Sequence, residues 1–190
     1  MKGMSGSVKL LLALMGSGFL FGIQPAGAVD VNIKITGEIF IPPCTINNGA
    51  EIKVPFGEML LYDVNGKNNA KTTSVSVACT YYQGAPYIRI EGAAQGTGSN
   101  ILQTTGANPS SLGIALYQGS DVNTAYPLRT VTGTGTGTQG KYGYKITRGF
   151  TGQNSSTGAF TFTAVPVKYG SGELKAGYFE ATATMSIHYL

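Results

Sequence analysis

From Val31 to Ile41 the chain reads Val31-Asn32-Ile33-Lys34-Ile35-Thr36-Gly37-Glu38-Ile39-Phe40-Ile41, with branched apolar residues at 31, 33, 35, 39 and 41 and Gly37 on the same phase. A period of two places successive side chains on opposite faces of an extended strand, so this stretch carries one apolar face. It lies ahead of the first cysteine. Such a strand either pairs within its own chain or is offered to another molecule.

The same alternation recurs downstream. Strands are expected at Glu51–Phe56, with Pro55 marking an edge or bulge, and at Thr72–Cys79, Tyr87–Glu91, Leu112–Tyr117, Gly158–Val167 and Gly177–Tyr189, with a weaker one at Tyr142–Thr147. Turn-forming Gly, Ser, Thr and Asn separate them, at Asn65-Gly66, Gly92 to Asn100, Gly119-Ser120-Asp121 and Gly152 to Gly158. No window has a helical period, and at most one helical turn is expected near Ser110–Leu112. The tract Thr132-Gly133-Thr134-Gly135-Thr136-Gly137-Thr138 reads as a flexible hairpin loop. A phosphate-binding loop needs a following helix N-terminus and usually a lysine in register.

The first 28 residues read as a secretory signal. Lys2 and Lys9 precede an apolar run, Leu10 to Met15, and the segment ends in Ala26-Gly27-Ala28. The apolar stretch is short and interrupted by Gly16, Gly18, Gly22 and Pro25, which disfavours a membrane anchor. The remaining 162 residues suffice for one domain with a real core. The formal charge of +4 falls to +2 without the two lysines, and no Lys/Arg cluster is present, so nucleic acid is not an expected partner. In an exported chain the two cysteines, Cys44 and Cys79, are expected to form a disulfide. Two cysteines so far apart and a single distant histidine make a poor metal site. Many short strands, one disulfide and export together indicate an all-β, immunoglobulin-like sandwich, though without the tryptophan of antibody domains.

Nothing in the sequence supports catalysis. The only histidine, His188, sits on the strand face opposite Ala183, Met185, Ile187 and Tyr189. There is no G-x-S-x-G elbow, and the nine acidic residues are scattered. No metal or other cofactor is expected. Asn154-Ser155-Ser156 matches a glycosylation sequon, a weak signal in a loop.

The C-terminal strand also alternates, with Phe179, Ala181, Ala183, Met185, Ile187 and Tyr189 sharing a face up to Leu190. Both ends of the chain thus read as strands with apolar faces, suited to β-strand addition. Here the sequence resembles the pilin subunits of the chaperone–usher pathway of Gram-negative bacteria, and among them the minor tip adaptors. Ile41-Pro42-Pro43-Cys44-Thr45-Ile46-Asn47-Asn48-Gly49 carries the resemblance. So do Gly113-Ile114-Ala115-Leu116-Tyr117-Gln118-Gly119, Phe160-Thr161-Phe162-Thr163-Ala164-Val165-Pro166, Gly177 near the end and the penultimate Tyr189.

The resemblance implies an incomplete immunoglobulin-like sandwich of six strands in residues 42–190, preceded by a donor extension at 29–41. Val31, Ile33, Ile35, Gly37 and Ile39 match the extension that enters the groove of a neighbouring subunit. Gly37 falls where the family keeps a glycine. Phe179, Ala181, Ala183, Met185, Ile187, Tyr189 and Leu190 match the strand that lines the subunit's own groove and pairs with a periplasmic chaperone, which docks the terminal carboxylate. The implied partners are that chaperone, an outer-membrane usher and neighbouring pilin subunits, a tip adhesin among them. The implied location is a fimbrium on the cell surface, reached through the periplasm. A major pilin, or a receptor-binding subunit contacting glycan through Tyr81, Tyr82, Tyr142 and Tyr144, is the alternative.

Overall fold

A computed structural model of the chain describes residues 30–95, 99–131 and 137–190; the expected signal at 1–28 lies outside these. The chain divides into a segment ending at Glu38 and a compact unit from Ile39 to Leu190. Residues 30–44 form no regular secondary structure, and Val31, Ile33, Ile35 and Ile39 are exposed. Alternation alone supplies a face, not the hydrogen-bond partner that makes a strand.

Among the described residues twelve strands follow: β1 (Thr45–Ile46), β2 (Lys71–Ala78), β3 (Pro86–Gly92), β4 (Ile101–Gln103), β5 (Thr105–Gly106), β6 (Leu112–Gln118), β7 (Thr130–Val131), β8 (Tyr144–Lys145), β9 (Phe150–Thr151), β10 (Thr157–Lys168), β11 (Phe179–Glu180) and β12 (Ala183–Tyr189). One sheet runs β1-β2-β10-β6-β4, with β9 beside β10. The other runs β12-β3-β7, with β8 beside β3, and β11 and β5 form a short ribbon. β10 is the hub of the first sheet. Its first half pairs antiparallel with β2 (Phe160 opposite Val75) and its second half with β6 (Val165 opposite Ala115).

The two sheets bury one apolar core. Val75 and Val77 on β2, Ile88 and Ile90 on β3, Ile114 and Leu116 on β6, Phe160 and Phe162 on β10, and Ile187 and Tyr189 on β12 all contribute. These residues recur at every second position because only one face of each strand looks inward. Phe150 meets Tyr189 edge-on at 6.3 Å. Cys44 and Cys79 are disulfide-bonded at the rim of this core. The Cys44 N–H also donates to the Ile187 carbonyl at 2.8 Å, while the next two residues pair with β2. The chain therefore crosses from one sheet to the other at the first cysteine.

Three sequence expectations need correction. Glu51–Phe56 has the alternating burial of a strand but no ladder partner, so it is extended chain rather than sheet. The strand expected over Tyr142–Thr147 is only β8, because a short helix, α1 (Gly137–Tyr142), occupies the end of the Thr/Gly tract. Lys141 in its last turn complements the helix dipole. Gly143 then turns the chain at φ +83°, where a Cβ would overlap the Ile88 carbonyl. The rest of that tract lies outside the described residues. Finally, the stretch Gly177–Tyr189 is two strands, broken at Ala181-Thr182.

His188 is half-buried, with its ring edge-on to Tyr142 at 5.3 Å. Burial, then the charges of Arg89 and Lys141, lower its pKa below the ordinary histidine value. The unfolded chain therefore takes up this proton first as pH falls. The contribution to stability is complete above about pH 6.5 and is lost as pH drops through the lower folded value. His188→Gln is expected to shrink the loss of stability between about pH 7.5 and 5.5, read from urea midpoints; an unchanged loss would assign it to other groups. The disulfide closes a sequence separation of 35. In the chain-entropy model, removing it through Cys44→Ala with Cys79→Ala costs about 3–4 kcal/mol by the same measurement.

Candidate functional site

The inner faces of the two sheets are not covered along their whole length. A cavity of about 540 Å³ opens between β12 and the extended segment 52–57 and reaches down into the core. Its floor is Ile90, Leu102, Ile114, Leu116, Phe162 and Ala164, from four different strands. Phe179, Ala181, Ala183 and Met185 form one wall; Ile52, Val54 and Phe56 form the other. The lining is predominantly apolar, and the one charged residue in it is Glu180.

β12 and the extended segment 52–57 each present a main-chain edge that, among the described residues, has no ladder partner on the groove side. Leu190 and Ala85 exchange two main-chain hydrogen bonds, N–H to carbonyl at 3.0 and 2.8 Å. By antiparallel alternation, His188, Ser186 and Thr184 then bond to β3. Ala183, Met185 and Ile187 direct their N–H and C=O groups to the other side, toward the groove. Cys44 meets the Ile187 carbonyl, and among the described residues nothing meets those of Ala183 and Met185. Across the opening, the main chain from Ile52 to Gly57 makes no hydrogen bond to another main-chain group among the described residues. It is held by side chains instead. Ile52, Val54 and Phe56 pack on the core, while Glu51 and Lys53 pair at 3.3 Å on the solvent side. The groove is narrowed where Phe56 and Phe179 approach, with ring centroids 6.1 Å apart. Beside that contact Gly177 stands at φ +152°, and a Cβ on it would come within 2.6 Å of the Ala107 Cβ.

Of the residues singled out on the C-terminal strand, the structure brings Phe179, Ala181, Ala183 and Met185 to the groove. Ile187 and Tyr189 are instead fully buried in the core beyond its end. Leu190 is exposed, with its main chain tied to Ala85 and packed against Gly84. Sequence reasoning missed the second wall as a functional element. The alternation of Ile52, Val54 and Phe56 was legible, but it was assigned to an ordinary strand. The floor residues were legible only as core.

The arrangement can accept an extended chain. A strand laid between the walls would meet unpaired main-chain groups on β12 and on 52–57, and alternate side chains would enter the apolar floor.

An opened sandwich of this kind defines an assembly subunit rather than a self-contained domain. Residues 33–190 match the family model described as Fimbrial protein, and the chain belongs to that family. Two relatives from Escherichia coli bear on its place within it. The chain is 41% identical to the fimbrial adapter PapF over 160 residues, covering 84% of this chain and 88% of the relative. It is 40% identical to the minor fimbrial protein PrsF over the same length and coverage. A solved structure of the P pilus adaptor subunit PapF, described for its polymerization reactivity, superposes with a TM-score of 0.51 at 34% identity, covering 80% of this chain and all of that one.

The edge geometry has a direct readout in the uncomplexed subunit. The amides of Ala183 and Met185 should exchange with deuterium far faster than those of Thr184 and Ser186, which lie in the β3 ladder. Equal protection along β12 would contradict an open edge.

Proposed function

We propose that this fimbrial subunit is joined into its fibre by strand exchange and serves as an adaptor near the tip. The observation that carries the reading is the apolar groove flanked by the open edge of β12 and by the extended segment 52–57. An exposed slot of this length is a liability in a free subunit, since apolar surface and open edges both drive association. A periplasmic chaperone would cover it with a lent strand during export. In the fibre, the extension of the next subunit would replace that strand. The outer-membrane usher would be the place of exchange, and residues 1–28 the signal that sends the chain there.

In this reading the chain's own extension, residues 29–41, enters the groove of the subunit ahead, a tip adhesin or another tip subunit. Val31, Ile33, Ile35 and Ile39 would bury their side chains there, at roughly 1.5–3 kcal/mol each. Those gains, with a ladder of main-chain bonds, would stabilise the joint without an external energy source. Gly37 would occupy the point of closest approach, where a Cβ has no room. The adaptor position is supported by the likeness to PapF and PrsF. The family is one of fimbrial proteins, which supports a structural role rather than an enzymatic one.

The test is to express the exported chain with and without residues 29–39, and with and without a pilus chaperone. Without the chaperone, the subunit should aggregate or self-associate. Without residues 29–39, it should still bind chaperone but no longer join the subunit ahead. Gly37→Leu should slow that joining in a peptide-exchange assay. A stable, soluble monomer in the absence of chaperone would refute the reading, and unchanged joining by Gly37→Leu would refute the close-approach account.

A further inference from the structure

The two ends of the sandwich are unlike. At one, β2 finishes at Ala78 opposite the start of β10 at Thr157, and β12 finishes at Tyr189 opposite Pro86. Cys44, which follows the extension in the chain, lies at this end, bonded to Cys79 and to the Ile187 carbonyl. At the other end β2 begins, β10 closes opposite the start of β6, and β11 leads into β12. The Cys44–Ile187 bond closes the groove at the cysteine end. At the far end the groove runs out past Phe56 and Phe179, where Gly57, Gly177 and Tyr178 are exposed. A donated strand therefore leaves toward Gly57 and Tyr178, antiparallel to β12, and its folded body lies outside that end.

The surface there is apolar. Leu60, Leu61 and Tyr62 follow the groove wall directly and are 54%, 49% and 75% exposed; Tyr178, which lines the groove, is 77% exposed. Three consecutive exposed apolar residues are unfavourable in water unless something covers them. The turn that carries them, Leu61–Asp63, is also firmly built. The Asp63 N–H donates to the Leu60 carbonyl at 3.0 Å, and the Asn68 amide donates to the Asp63 carboxylate at 2.9 Å. Asn65 Oδ1 accepts from the N–H groups of Lys67 and Asn68, and the Gly66 N–H reaches the Pro166 carbonyl of β10 at 3.0 Å. The side chains are thus held outward by a bonded main chain, as a presented surface.

The chain itself shows what a strand donor brings to this place. Only Pro42 and Pro43 stand between Ile41, the last apolar residue of the extension, and Cys44. In the extended conformation that proline imposes, at about 3.1 Å per residue, they hold the donor's body within about 10 Å of the end of its strand. A tether so short and stiff leaves no slack for a turn, so the donor's cysteine end meets the acceptor's open end. Outside the extension, the other large apolar side chains exposed among the described residues are Tyr81, two residues beyond Cys79, and Leu190, bonded to Ala85. Both lie at the cysteine end. The two ends therefore carry complementary apolar facets, the arrangement of a head-to-tail contact that repeats along a fibre.

We propose that the facet of Leu60, Leu61, Tyr62 and Tyr178 seats the body of the strand-donating subunit, one built like this chain, through the facet beside its first cysteine. The inference rests on the strand-exchange reading and adds to the joint a second contact, between bodies, that the strand alone does not make.

The test uses the full mature chain, with a second copy of it as donor, and a synthetic peptide of residues 29–41. Peptide binding is read by fluorescence anisotropy at dilutions where whole chains have not joined, and joining of whole chains by sedimentation velocity. Leu60→Ser combined with Tyr62→Ser should leave peptide affinity within about twofold of the unaltered chain and weaken joining of whole chains by about tenfold or more. Tyr81→Ser, on the opposite facet, should act in the same direction. These residues are exposed, so retained peptide binding also reports an intact fold. Joining that neither change affects, peptide binding lost in step with joining, or unaltered chains that take the peptide yet do not join would overturn the proposal. An unaltered chain that does not bind the peptide would refute strand exchange itself, and this contact with it.

Discussion

The structure depends on two extended edges, that of β12 and that of segment 52–57, which face each other with no main-chain partner between them among the described residues. Between Met185 on one side and Val54 on the other, the core of the sandwich is open, and Ile114, Leu116 and Phe162 form the floor of a groove rather than a sealed interior. Unpaired main-chain groups beside apolar surface make an unstable combination in water. Hydration satisfies the first and is opposed by the second, and only an extended chain satisfies both at once. That constraint explains why an otherwise ordinary β-sandwich belongs to a family of fibre-forming subunits.

The remaining architecture holds the two edges apart. The chain passes between sheets at Cys44, whose N–H caps the edge of β12 at Ile187 and whose sulfur is tied to the end of β2. β12 is anchored at its far end by the buried Tyr189 and by the reciprocal bonds of Leu190 with Ala85. Among the described residues the opposite wall is tied through side chains, and Phe56 reaches across to Phe179. One wall is thus held by main-chain bonds and the other by side-chain packing.

Much of the fold was legible in the chain. β2, β3, β6, β10 and β12 each show apolar residues at every second position, because a half-buried strand must alternate. The cysteine pair was legible from export and even count. The segment 51–56 was misassigned for a physical reason: its alternation reports that one face is buried, and burial can come from side chains packed on a core without any ladder. The end of the Thr/Gly tract was read as loop because glycine and threonine both disfavour helix. Its short helix is set by context, where Gly143 turns against the Ile88 carbonyl and Tyr142 packs on His188.

The sequence by itself determined the long strands β2, β3, β6, β10 and β12, the disulfide and the apolar faces at both ends, because these follow from local periodicity and residue chemistry. It did not determine which edges remain unpaired. That was decided by the tertiary structure, since a hydrogen-bonding edge is free or filled only in relation to its neighbours. The crossing at Cys44 and the pairing of β12 with β3 leave Ala183 and Met185, among the described residues, facing an open groove, and thereby turn a periodic pattern into an open edge.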